Sequence, residues 1–287
     1  MLLPRIVIDD LVRRALLEDL GHGVDVTTQS LIPPDLRGVL VMQAREDGVL
    51  AGVEVAAAAF AVFDPALVVA RHRQDGARLK AGDAIVTISG NAQSILSAER
   101  VALNFMSHMS GIATNTARYV ATIAGTKAAI TCTRKTMPGL RAVQKYAVRM
   151  GGGRNHRFGL DDGILIKDNH IAIAGGIEPA IAAARSNAGH MVKIEVEVDT
   201  LAQLDEALNH PIDAVLLDNM RGDILREAVA LVQRRKNSRN ILCEASGGIT
   251  FDALPAIAAS GVDLISVGAL THSVQALDIG LDVTLGK

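Results

Sequence analysis

From residue 128 onward, short β-branched runs alternate with stretches of helical spacing. The runs are Ala129-Ile130-Thr131, Ile164-Leu165-Ile166, Val192 to Val198, Ala214 to Leu217, Ile241-Leu242-Cys243 and Leu264 to Val267. Between them lie Ile177 to Ser186, Leu201 to Asn209, Ile224 to Arg235 and Phe251 to Ala259, with apolar residues recurring at three and four. Strand and helix in strict alternation bury both faces of a parallel sheet, and six such strands predict an α/β barrel. An open doubly wound sheet is the rival. It ordinarily carries a glycine-rich turn after its first strand, and no GxGxxG opens this region.

The preceding residues have another character. Leu11, Ala15, Leu16 and Leu20 mark a helix over 11–20, capped by Asp9 or Asp10. Residues 37–46 and 49–55 read as strands around the turn Glu46-Asp47-Gly48, and 67–73 and 84–89 as further strands. The Ala-rich, proline-free run 91–124 predicts one or two long helices, broken near Gly111 and bridging two domains. Val274, Leu277, Ile279 and Leu281 predict that residues 273–287 are structured and pack back on the first domain.

Composition narrows function mostly by exclusion. A net charge of -2 and 2% aromatic residues, with no Trp, argue against nucleic acid as partner. The two cysteines, Cys132 and Cys243, have neither disulfide-framework nor zinc-ligand spacing. Asp9 and Asp10 interrupt the N-terminal apolar run, and the run from Val49 to Val62 contains Glu54. A cytoplasmic protein with no membrane partner is therefore expected.

The residues that end each strand carry the chemistry. Arg134 and Lys135 follow the first strand, and Lys167 follows the second. Glu195 and Glu197 lie on the third, and Asp218 ends the fourth. Ser246-Gly247-Gly248 follows the fifth, and Gly268 the sixth. In a barrel these positions converge on the carboxyl-end face. Arg134 offers a planar fork for carboxylate or phosphate, and Lys135 and Lys167 add compact charge. Glu197 and Asp218 suit a divalent ion or sugar hydroxyls. The Ser246-Gly247-Gly248 turn can aim backbone N–H groups at a phosphate. For Glu195 and Glu197, an ion pair with Lys167 or Lys193 is the alternative; for His272, a helix cap.

The stretch 133–161 gathers Arg134, Lys135, Arg141, Lys145, Arg149, Arg154 and Arg157, with His156 beside them and Asp161 its only acid. A chain of net charge -2 that concentrates its bases in this way is expected to bind a polyanion there. Gly151-Gly152-Gly153 is expected to make the approach flexible.

The string TRKTMPGLRAVQKYAVRMGGGRNHRFGLDDGILIKDNH resembles the quinolinate phosphoribosyltransferase family. The blocks SAERVALNFMSHMSGIAT, KIEVEVDT, VLLDN, EASGGI and SVGALTHS resemble other blocks of that family, in its order. The resemblance implies an N-terminal open-faced α/β sandwich over 1–108, with its bridging helix. It implies an incomplete, seven-stranded α/β barrel over 109–272 and a returning segment over 273–287. It further implies quinolinate and 5-phosphoribosyl 1-pyrophosphate as substrates, Mg2+ as cofactor, and a homodimer, or a higher oligomer, with shared sites. By residue, it implies that Arg100 (from the partner subunit), Arg134, His156, Arg157 and Lys167 bind quinolinate. Lys135, Glu197, Asp218, Ser246, Gly247, Gly248, Gly268 and His272 would hold the phosphoribosyl donor. Lys135, Lys167, Glu197 and Asp218 would act in catalysis, with Glu197 and Asp218 near the metal.

Overall fold

The computed structural model describes residues 3–235 and 241–283. They form two compact units, one from within 1–117, 136–152 and 269–287, the other from within 118–135 and 153–268.

The first unit begins with helices α1 (Arg5–Leu20) and α2 (Val26–Leu31) and strands β1 (Arg37–Ala44) and β2 (Gly48–Val49). Then come α3 (Val53–Phe63), β3 (Val68–Arg71), β4 (Arg78–Leu79), β5 (Ala84–Asn91) and α4 (Ala92–Thr122). Residues 49–55 were expected to be extended, but the chain turns into α3 at Gly52, whose φ of 100° takes it out of the strand. Asp75 Oδ1 then accepts the Val53 N–H at 3.0 Å, satisfying one of the helix's first donors. The alanines at 56–59 favour the helix that follows, and that run is wholly buried.

Helix α4 is continuous through Gly111 rather than broken there. A Cβ at Gly111 would stand 2.1 Å from the Gln275 carbonyl oxygen, so this glycine permits the C-terminal segment to pass close to the helix. That segment ends in a strand, Ile279–Val283, which pairs antiparallel with β1. The four-stranded sheet runs in the order Ile279–Val283, β1, β5, β3. Residues 284–287, included in the expected returning segment, lie outside the described residues.

The second unit holds the parallel strands β6 (Ala129–Thr131), β7 (Ile164–Ile166), β8 (Ile194–Val198), β9 (Ala214–Asp218), β10 (Leu242–Ser246) and β11 (Leu264–Ser266). Their order is β6-β11-β10-β9-β8-β7. A single-residue bridge adds a seventh position: Arg154 pairs in parallel with Thr131, its N–H donating to Ile130 O at 2.8 Å. Among the described residues no ladder joins Arg154 to β7, so the barrel is incomplete between them. The fifth strand extends to Ser246, beyond the expected end at Cys243, and so includes Glu244. No helix among the described residues is long and apolar enough to cross a membrane.

The basic stretch is divided between the units. Helix α5 (Arg141–Met150) belongs to the first. Its Lys145 is only 1% exposed, Arg149 lies over the Tyr146 ring at 5.6 Å, and Arg141 Nε donates to Thr136 Oγ1 at 3.1 Å. Gly151, expected to confer flexibility, instead permits close packing, because a Cβ there would meet Ala113 O at 2.3 Å.

Gly111→Ala is predicted to lower stability by about 1–3 kcal/mol through overpacking. At an open helical site the same change would stabilise by about 1 kcal/mol, so the sign of the change in Tm tests the close approach.

Candidate active site

The carboxyl ends of the barrel strands enclose a cavity of about 580 Å³. Thr133, Arg134 and Lys135 reach it from beyond β6, Lys167 from the end of β7, Glu197 from β8, and Asp218 and Asn219 from β9. Glu244, Ser246, Gly247 and Gly248 reach it from β10 and the turn after it, Ser266 from β11, and His156 and Arg157 from the segment before β7. Strand periodicity explains the selection. Leu216 and Asp218 are two apart on β9, as are Glu244 and Ser246 on β10, so each pair shares a face. The register places Ser246 opposite Asp218 and Glu244 opposite Leu216.

Three of the seven clustered bases, Arg134, Lys135 and Arg157, line this cavity. Thr133 Oγ1 accepts the Lys135 N–H at 2.9 Å and folds the stretch into a tight turn. Arg157 Nη1 donates to Gly163 O at 3.0 Å, while its Nε is buried without a hydrogen-bond partner. Burial, and then the charge of Arg134, push the Arg157 guanidinium below its usual range. An anion beside both would relieve that repulsion and satisfy the buried donor.

The acids are not equivalent. Lys167 Nζ pairs with Glu197 Oε2, whereas Lys193 pairs with Asp213 at 2.7 Å. Glu195 pairs with neither lysine: its Oε2 accepts from His156 Nε2 at 2.9 Å. The other ring nitrogen, Nδ1, accepts the Arg157 N–H at 2.7 Å. His156 is therefore the neutral Nε2–H tautomer, with both nitrogens engaged inside the protein. Below it lies Glu244, 1% exposed, which accepts from Ser266 Oγ and stands 3.7 Å from His156 Nε2. Burial, and then the Glu195 charge, push the Glu244 carboxyl up to about 7. The ligand atoms of His156, Glu195 and Glu244 lie within 4.8 Å of one another, but a proton on Nε2 occupies the lone pair a metal would need.

The turn at the end of β9 is strained. Asn219 has φ 56°, a left-handed conformation that Asn tolerates better than most residues. Its Nδ2 donates to Asp218 Oδ2 at 2.7 Å and fixes that carboxylate. Arg221 braces the facing turn through Ser246 O at 3.3 Å and through Gly247 O. Gly247 has φ 84°, and a Cβ there would fall 2.1 Å from Asn219 Oδ1 and 2.8 Å from Asp218 Oδ1.

Three expected site residues are not among those that line this cavity. Gly268 follows β11 but is not among the residues lining the cavity. Arg100 is on α4 and His272 ends the short helix Ala269–His272, both in the first unit. His272 Nδ1 lies 2.7 Å from Ser273 Oγ. Sequence reasoning assigned no role to Glu244, Ser266, Asn219, Arg221 or Thr133. An acid inside an otherwise apolar strand was the available signal for Glu244.

Fold and cavity together define an α/β-barrel protein adapted to anionic ligands. Residues 112–282 match the family model for the quinolinate phosphoribosyl transferase C-terminal domain, and residues 25–110 match that for its N-terminal domain. The carboxylating nicotinate-nucleotide pyrophosphorylase of Mycobacterium leprae is 47% identical over 279 residues, covering 96% of each chain. A probable enzyme of that name from Bacillus subtilis is 46% identical, covering 96% of this chain and 93% of its own. Among solved structures, the nicotinate-nucleotide pyrophosphorylase of Francisella tularensis superposes with a TM-score of 0.92 at 38% identity, covering 99% of this chain and 98% of its own. The chain belongs to the quinolinate phosphoribosyltransferase family.

Two predictions arise from this geometry. Gly247→Ala is predicted to lower Tm, because strain at positive φ adds to displacement of Asn219 and Asp218, at a cost of about 1–3 kcal/mol. The second concerns Glu244. An unfolded glutamate ionises near 4.5, whereas this one keeps its proton to about 7. Between those values the folded state binds more protons, so stability falls as pH rises through that window. Glu244→Gln should flatten the decline in Tm between pH 5 and pH 7.

Proposed function

We propose that this chain transfers a phosphoribosyl group from 5-phosphoribosyl 1-pyrophosphate to quinolinate with decarboxylation. The products are nicotinate mononucleotide, pyrophosphate and carbon dioxide, and the step serves NAD biosynthesis. The observation that carries the reading is the cavity: Arg134 and Lys135 beyond β6, Arg157 before β7 and Lys167 after it share the cavity with acids on β8 and β9, in a chain matched to one enzyme family over nearly its full length. Quinolinate brings two carboxylates, and the donor a phosphate and a pyrophosphate. Both must be held together before a glycosidic bond forms.

Arg134 and Arg157 bind quinolinate carboxylates, since each has a planar fork suited to a carboxylate. Lys135 and Lys167 hold the 2-carboxylate that departs as carbon dioxide. His156 supports Arg157 through its backbone N–H. The Ser246-Gly247-Gly248 turn receives the 5-phosphate, helped by Gly268. The ring nitrogen attacks C1 of the ribose while pyrophosphate leaves, and positive charge develops at C1. Glu197 and Asp218 stabilise that charge. In the ligand-free arrangement Lys167 neutralises Glu197. A substrate carboxylate that draws Lys167 away unmasks Glu197 at the moment its charge is useful. Loss of the 2-carboxylate breaks its bond to C2 and leaves an electron pair there, stabilised by the pyridinium nitrogen formed in the first step, until a proton from water takes up that pair as the C2–H bond of the product. No protein nucleophile is required.

Glu197 and Asp218 are hard oxygen donors on adjacent strands, and Asp218 is already oriented by Asn219. They fit Mg2+, directly or through water. A magnesium ion held by Glu197 and Asp218 would supply positive charge to offset that of the departing pyrophosphate. Arg100, exposed on α4, completes the site of a partner subunit in a homodimer.

The deciding experiment incubates the protein with donor, Mg2+ and carboxyl-labelled quinolinate, with nicotinate as control. Labelled carbon dioxide is expected from quinolinate; turnover of nicotinate instead would overturn the reading. Arg134→Ala should raise the quinolinate KM roughly ten- to a hundredfold, as loss of a charged contact worth about 1.5–3 kcal/mol implies. The donor KM should change far less. Mixing inactive Arg100→Ala and Lys135→Ala subunits should restore part of the activity after subunit exchange, and no recovery would exclude the shared site.

A further inference from the structure

Glu244 sits in the middle of β10, on the cavity-facing side of the barrel strand and one layer beneath Ser246. Nothing in the proposed chemistry uses it. It is 1% exposed, and the groups that face it come from three elements. Glu195 faces it from β8 and His156 from the segment before β7, with the ligand atoms of all three within 4.8 Å of one another. Ser266 on β11 donates its hydroxyl hydrogen to Glu244 Oε1. Among the described residues, the basic group within ion-pair distance is His156 Nε2, at 3.7 Å, and no lysine or arginine pairs with it.

That environment is hostile to a second negative charge. Glu195 accepts the Nε2 proton of His156, so it serves as the carboxylate of the cluster. A second proton on the His156 ring would have to displace the Arg157 N–H that its Nδ1 already accepts. A neutral histidine between two ionised carboxylates would leave two like charges in a dry barrel interior, directly below a site that must bind a dianion.

We propose that Glu244 is a positioning residue for the quinolinate site, acting as an uncharged carboxylic acid beneath His156. With Ser266 and Glu195 it locks His156 as the Nε2–H tautomer. The ring in turn holds the Arg157 backbone N–H, and with it the start of the segment that aims the Arg157 guanidinium. By staying neutral, Glu244 also keeps the cavity floor from opposing the charge of Arg134 and Arg157. The upward displacement of its ionisation agrees with this role. The inference rests on quinolinate being the ligand of these arginines.

Glu244→Gln preserves shape and hydrogen bonding without charge, whereas Glu244→Ala leaves the Ser266 hydroxyl and the His156 ring unsupported. The quinolinate KM and kcat of wild type and both variants are measured from pH 6 to pH 9 at saturating donor, after circular dichroism confirms folding. For wild type, KM is expected to rise at least fivefold as pH passes about 7, with a smaller change in kcat. For Glu244→Gln, KM should stay flat across the range, near the wild-type value at pH 6. Glu244→Ala should raise KM at least tenfold at every pH.

A Gln variant as impaired as the Ala variant would overturn the proposal, because an ionised carboxylate would then be required. So would stoichiometric Zn2+ binding, by calorimetry, to wild type but not to Glu244→Gln, which would make the cluster a metal site. If wild type releases no carbon dioxide from quinolinate, the proposed function fails instead. The pH dependence of Tm would still report whether Glu244 carries its proton.

Discussion

Two-residue periodicity along parallel strands governs where the acids of the barrel go. Glu195 and Glu197 on β8, Leu216 and Asp218 on β9, and Glu244 and Ser246 on β10 all follow it. With β9 and β10 in register from Ala214 and Leu242 onward, Asp218 and Ser246 form an upper layer and Leu216 and Glu244 a lower one. A one-residue slip in either strand would turn its half of the site to the other face. The apolar residues between, such as Val196, Val215 and Ala245, are fully buried and hold that register.

Electrostatics then separates the two layers. The upper layer is ligand-accessible, and its charges are provisionally matched: Lys167 covers Glu197, and Asn219 holds Asp218. Beside it, Arg134 and Arg157 oppose each other's charge. In the lower layer, burial and a neighbouring carboxylate make Glu244 retain its proton. The site is thus an anion trap built over a floor of low charge. The same proton that suits the floor to an anionic ligand makes the fold's stability depend on pH.

Backbone geometry completes the trap. Asn219 and Gly247 both adopt positive φ, on turns that end adjacent strands. Their approach is so close that a Cβ on Gly247 would collide with Asn219 and Asp218. Arg221 ties the turns together through carbonyl groups. It orients the site without lining the cavity.

The alternation of strand and helix was legible in the residues because tertiary burial of a parallel barrel writes its own period into each element. Strand-end residues such as Arg134, Lys167, Glu197 and Asp218 were legible for the same reason: polar groups ending apolar runs need a purpose. Other features were decided only by packing. Residues 49–55 looked extended because of their β-branched valines, and Gly52 with the distant Asp75 settled that α3 begins at Val53. Gly111 and Gly151 looked like a break and a flexible hinge, yet both are points where backbones nearly touch. Seven clustered bases looked like one site; Arg134, Lys135 and Arg157 line the cavity, whereas Arg141, Lys145 and Arg149 belong to α5. Sequence by itself determined the barrel and the charges at its strand ends, because periodicity and local chemistry are properties of neighbouring residues. Only the tertiary structure could single out Glu244, because its protonation depends on Glu195, His156 and Ser266, brought to it from three other segments of the chain.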